Sequence, residues 1–127
     1  MPAIIDKTRT SAAGLRAFFR ISDLWHLSVE EQKKLLGLDS DSTLHKWKKD
    51  PQSARPDKDK LDRLSYLLGI YKDLQILFSD KESADNWVRH ANQSPVFGGR
   101  SALDVMCQGH IINLHQVREY LSRARGI

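Results

Sequence analysis

The chain has 127 residues, 40% of them hydrophobic and 28% charged, which suits one compact unit or two small helical subdomains sharing a core. It is too short for a multidomain enzyme and too apolar for wholesale disorder. Twenty Lys and Arg against 16 acids give a formal charge of +4 and a pI near 9.3, a tilt toward an anionic partner.

Residues 1–10, MPAIIDKTRT, show no periodicity and form an expected flexible arm. They also lack the basic segment and apolar run of a secretion signal, and no apolar stretch nears the roughly 20 residues that cross a bilayer, so a cytoplasmic protein is expected. From Ser11 to Trp25, the positions of Leu15, Phe18, Phe19, Ile21 and Leu24 suit one helix stripe. Ser28-Val-Glu-Glu31 is a capping box, in which the Ser28 hydroxyl takes one backbone amide and Glu31 reaches back to another. A second helix starts there and stops at Gly37, where a left-handed residue ends it. Asp39, Ser40, Asp41 and Ser42 then offer caps for a third helix with Leu44 and Trp47 inward and Ser42, His45, Lys46 and Lys49 outward. Two short helices joined by a Gly turn, the second showing polar and basic side chains, match the helix-turn-helix arrangement, whose second helix enters the major groove.

The segment GLDSDSTLHKWKKD resembles the recognition segment of Xre-like regulators, with a Gly turn, a Ser/Thr-rich cap and an aromatic-basic helix. An ordinary helical hairpin with a solvated basic face has the same pattern, and Asp39 and Asp41 would repel phosphate. In KKDPQSARPDKDK, residues 48–60, two prolines and mixed charges mark an exposed loop whose Lys48, Lys49, Arg55, Lys58 and Lys60 are candidate phosphate contacts. The expected DNA-binding set is therefore Ser40, Asp41, Ser42, His45, Lys46, Lys48, Lys49 and Arg55. Asp57 caps a long core helix carrying Leu61, Leu64, Leu68, Tyr71, Leu74 and Phe78 at steps of three and four, widened by Leu67, Ile70 and Leu77.

Ser79 and Asp80 start a segment with Ala84, Trp87, Val88 and Ala91 on one face, stopped by Asn92-Gln-Ser-Pro95. Pro95, Gly98 and Gly99 make a sharp turn anchored by Val96 and Phe97, with Arg100 expected to bond backbone carbonyls or a partner. A Gly-rich turn entering a helix can hold phosphate, but Gly98-Gly99-Arg100-Ser101 lacks the third glycine of a dinucleotide fingerprint and the Lys of a P-loop. Ser101 to Asp104 is a capping-box-like start for a short helix ending at Gly109. Asn113 then caps a last helix carrying Leu114, Val117 and Leu121.

Trp87, the turn Pro95-Val-Phe-Gly-Gly-Arg-Ser101, Leu103-Asp-Val-Met106, Gly109, Val117 and Leu121 together resemble the C-terminal domain of the Xre/ParS/MbcA family of type II antitoxins. With the helix-turn-helix candidate, the resemblance spans about residues 15–127. It departs at Ala102, where the family usually has Pro, a change a helix start accepts. The resemblance implies an all-α protein, with a helix-turn-helix DNA-binding domain at 11–78 and a toxin-binding domain at 79–127. It implies an antitoxin that binds its own operator and neutralises a RES-domain toxin. NAD would belong to that toxin, and this chain would carry no cofactor. A terminal helix can obstruct a concave active site, so the expected toxin-facing set is Arg100, Tyr120, Ser122, Arg123, Arg125, Gly126 and Ile127, although arginines there also complement a helix dipole. Dimerisation, or assembly through the toxin, follows from the symmetric sites that such proteins read.

Enzyme chemistry finds little support. The five histidines are scattered, His110 and His115 miss the spacing that places two ligands on one helix face, and Cys107 has no basic partner to activate it. A stand-alone Xre-like regulator without a toxin and a helical adaptor without DNA affinity are the alternatives.

Overall fold

The computed structural model describes residues 7–127, and all the regular structure among them is helical. The α-helices are α1 (Lys7–Leu24), α2 (Val29–Leu36), α3 (Asp41–Lys49), α4 (Lys58–Leu77), α5 (Lys81–Asn86), α6 (Ala102–Met106) and α7 (Ile111–Ala124), with 3-10 turns at Pro51–Ser53 and Trp87–Arg89. The all-α expectation is met. Helix α4 is the organising element, with α1 and α7 both packed along it and α2 and α5 against it. Its Leu64, Leu67, Ile70 and Leu74 are buried in one continuous core that runs from Leu15, Phe18 and Trp25 of the first helical stretch to Leu114, Val117 and Leu121 of α7.

Local chemistry sets most of the boundaries. Ser28 Oγ accepts the Glu31 amide at 3.1 Å while Glu31 Oε1 accepts the Ser28 amide at 2.8 Å, and Gly37 closes α2 at φ 74°. Of the four candidate caps for α3, Ser40 takes the position, accepting the Thr43 amide at 3.2 Å. Asp57 and Asp80 cap α4 and α5, and each carboxyl is held below its ordinary value first of all by the backbone amide it accepts, from Lys60 and Ser83 respectively.

Three boundaries differ from the sequence reading. Helix α1 starts at Lys7, so the last part of the expected arm is helical, while residues 1–6 lie outside the described residues. Helix α7 starts after His110, because Asn113 acts from within the first turn by accepting the His110 amide on Oδ1 at 3.1 Å. Ala91 is exposed, since the chain tightens into the 3-10 turn at Trp87–Arg89 and rotates Ala91 off the face shared by Ala84 and Val88.

Arginines tie distant elements together. Arg63 is buried and donates to the Lys34 carbonyl at 3.3 Å, the Gly109 carbonyl at 3.0 Å and Asp59 at 2.9 Å. Arg89 donates to the Trp25 and His26 carbonyls at 2.9 and 2.6 Å, joining the second half of the chain to the end of α1. Asp73, wholly buried in α4, accepts from Arg118 and, at 2.7 Å, from Arg125. The Arg118 guanidinium crosses α4 at Gly69, where a Cβ would lie 2.5 Å from its Nε.

Candidate functional site

Two surfaces emerge from this frame, one at α3 and one around α7. On α3, burial of Leu44 and Trp47 turns Ser42, His45, Lys46 and Lys49 outward together, and Lys48 is exposed beside them. His45, Lys46, Lys48 and Lys49 form no ion pair among the described residues. A helix start followed by free cations on one solvent-facing side suits a polyanion.

The remaining residues of the expected DNA-binding set are already engaged. Ser40 is the cap, and its hydroxyl also lies 2.7 Å from that of Ser42. Asp41 pairs with Lys33 at 2.7 Å, and Lys33 reaches Glu30 at 2.8 Å. The hydrogen bond from Lys33 holds the Asp41 carboxyl below its ordinary range, while Asp41 raises Lys33. The repulsion expected from Asp41 is thereby partly neutralised within the protein. Arg55 donates to the carbonyls of Gln52 and Ala54, both at 2.9 Å, and lines a cavity of about 360 Å³ with Ser40 and Thr43 of the α3 start. Its guanidinium is thus oriented next to α3. Of the neighbouring cations, Lys58 pairs with Asp62 and Lys60 approaches Asp57.

Around α7, the turn before α6 is built as expected at its glycines, with Gly98 and Gly99 at φ 58° and 89°. Its amides are used internally. Gly98 donates to the Ser94 carbonyl, Gly99 to Asn92, Arg100 to Phe97, and Ser101 to the Asp104 carboxylate, so no nest of amides faces outward to hold a phosphate. Phe97 alone anchors the turn. It is buried edge-on against Trp87 and Tyr120 at 5.8 and 5.0 Å, whereas Val96 points out to solvent, which corrects the expectation for that residue. Arg100 donates from Nε to the Phe97 carbonyl at 3.4 Å, the backbone role foreseen for it. With the Gln108 amide oxygen turned toward it, Nη1 gains an acceptor at 2.7 Å.

The end of the chain is less free than its sequence suggests. Arg125 is drawn inward by Asp73 and is half-buried, so it is not the open cation the obstruction model needs. Ser122 is occupied as well, its hydroxyl accepting from Arg118 at 3.3 Å and its carbonyl accepting the Ile127 amide at 3.0 Å. Tyr120 stacks on Trp87 with its hydroxyl 3.3 Å from Ser94 Oγ. Arg123, Gly126 and Ile127 remain exposed, Ile127 at 72%.

The description of the antitoxin Xre-like helix-turn-helix domain matches residues 5–69, and that of the antitoxin Xre/MbcA/ParS C-terminal toxin-binding domain matches residues 73–126. The chain belongs to the Xre-type antitoxin family. A similar protein is "Uncharacterized protein y4oB" of Sinorhizobium fredii (strain NBRC 101917 / NGR234), 47% identical over 114 residues, covering 90% of this chain and 85% of that protein. No solved structure matches the chain. This antitoxin is a DNA-binding and toxin-binding protein, not an enzyme, and the α3 and α7 surfaces fall in the halves matched to those two tasks. No helix among the described residues is long and apolar enough to cross a membrane.

Sequence reasoning missed the residues that hold the α7 surface in place. Asp73 sits in a helix rich in charge and looks like a surface residue, and Arg118 and Arg125 are 45 and 52 positions away. One local signal existed: Gly69 in the interior of α4, where glycine weakens a helix unless something must pass close by.

Proposed function

We propose that this antitoxin neutralises a RES-domain toxin by covering its active site with α7 and represses its own operon through α3, as a type II system in the cytoplasm. The observation that carries the reading is the pair of separate, solvent-facing surfaces, each in the half of the chain matched to one of the two tasks. Ser42, His45 and Lys46 read base edges, and Lys48, Lys49 and the oriented Arg55 take phosphates, while Ser40 and Asp41 shape the helix start. On the other side, Arg123, Gly126 and Ile127 contact the toxin directly. Arg125, Ser122, Tyr120 and Arg100 support that surface through Asp73, Arg118, Phe97 and Trp87. A homodimer, or two copies bridged by toxin, supplies the second recognition helix for a symmetric operator.

The test is to tag the chain in its host and identify co-purifying proteins. A near-stoichiometric RES-domain protein, lost on Arg123→Glu but kept on Lys46→Ala, bears the reading out. A chain that emerges with operator DNA alone identifies a stand-alone regulator instead. Point substitution is the better probe here, because removing residues 122–127 would also take Arg125 away from a buried carboxylate.

A further inference from the structure

Two concavities run end to end along the outward side of α7 and share His115. The larger, about 640 Å³, has Asp62, Ser65 and Tyr66 of α4 as one wall and Ile111, Ile112 and His115 of α7 as the other. The second, about 310 Å³, continues from His115 to Glu119 and Arg123, with Val96 of the turn beside them. Ile112 and Val96, 53% and 39% exposed, place bare apolar surface in one concavity each. Residues 112, 115, 116, 119 and 123 recur at helical steps, so they form a single stripe. An exposed apolar side chain set in each of two adjoining concavities with polar rims suits an elongated contact.

We infer that the toxin footprint is not confined to the C-terminal half and crosses the groove onto α4, with Ser65 and Tyr66 as its far wall. The inference rests on the reading that residues 73–126 bind a protein toxin. The groove is continuous with the stripe bearing Arg123, and a partner seated on Ile112 meets α4, because α4 is the opposite side of the same groove. Its two walls are braced against each other: Tyr66 Oη lies 3.1 Å from His115 Nδ1 and the two rings meet edge-on at 5.7 Å. The occupant carries an apolar ridge for Ile112 and Val96, a cation for Glu119 and an anion for Arg123. Toxin and DNA then engage separate faces of a structure that shares α4.

The full chain is titrated with the toxin protein of its own operon, comparing Ser65→Arg, Ile112→Glu and, as a control outside both concavities, Ile76→Glu. Operator binding reports retention of the fold. Ser65→Arg and Ile112→Glu are expected to weaken toxin binding by roughly tenfold or more, with operator affinity unchanged within about twofold and Ile76→Glu neutral. Full toxin affinity in Ser65→Arg, alongside loss in Arg123→Glu, restricts the footprint to the C-terminal half and overturns the inference while the proposed function stands. If Ser65→Arg instead separates a self-associated chain and leaves toxin binding intact, a second copy occupies the groove and the inference falls. If the unsubstituted chain does not bind the toxin, the proposed function fails and the inference with it.

Discussion

Asp73 has no solvent exposure, and its position is tolerable because Arg118 and Arg125 both reach it. Removing the carboxylate leaves two guanidiniums facing each other, a loss of about 3–5 kcal/mol for a broken buried pair. Asp73→Ala should therefore lower the denaturant midpoint sharply, and Arg118→Ala should cost more than Arg125→Ala, since Arg118 also holds Ser122. The cluster sets Gly69 of α4 apart from Gly14 of α1, and the two should respond oppositely to alanine. At Gly69 the new methyl meets a guanidinium pinned by Asp73, costing roughly 1–3 kcal/mol. At Gly14 the nearest atoms are Leu64 and Leu68 methyls at 3.9 and 4.0 Å, so alanine should stabilise by about 0.5–1 kcal/mol. Denaturant melts of the two variants with opposite shifts would bear this out; equal shifts would contradict it. Cys107 offers a further check. Burial pushes its thiol up to about 11 from 9.0, so it stays protonated at neutral pH and should react with an alkylating agent far more slowly than a free thiol. The associated stability is complete below the unfolded value and is lost as the pH rises through the folded one.

Individual helices stand on their caps. Ser28→Ala removes one arm of the α2 box and should cost about 1 kcal/mol, seen as a lower thermal midpoint. The Asp57 and Asp80 caps have depressed carboxyls, so their contribution is present above the unfolded value of 3.8 and is lost as the pH falls through the lower folded values. An acid titration of helicity should show that loss below about pH 4, and Asp80→Asn, which keeps a capping oxygen, should be less acid-sensitive than the native chain. These elements were legible in the sequence because a cap and its amide are only a few residues apart. The outward set on α3 was legible for the same reason, as Leu44 and Trp47 fix the opposite face. Other features were not. The pairing of Lys33 with Asp41, the Arg55 carbonyl clamp and the inward turn of Arg125 depend on how elements are placed relative to one another, and residue type alone makes each look like a free surface charge. Between Val96 and Phe97, neighbours in a turn, hydrophobicity cannot say which enters the core; the Trp87 and Tyr120 rings decide it.

For the whole molecule, a formal charge of +4 does not say which cations are open to a partner. Arg63, Arg89, Arg118 and Arg125 are committed to internal acceptors, whereas Lys46, Lys48 and Lys49 stand exposed together on α3. Operator affinity should fall with salt, and replacing one phosphate-contacting lysine should reduce the slope of log affinity against log salt by about 0.9. Lys49→Ala measured at several ionic strengths tests this, with an unchanged slope placing Lys49 off the phosphates. The two family matches stop and resume at residues 69 and 73, inside the uninterrupted helix Lys58–Leu77. Asp73, the first residue of the second match, lies on the same helix as Arg63, which grips the Lys34 and Gly109 carbonyls. The boundary between the two tasks is therefore not a hinge. Heat should melt the protein in one calorimetric transition, and a chain divided between 69 and 73 would have to mend a helix before either piece regained its function.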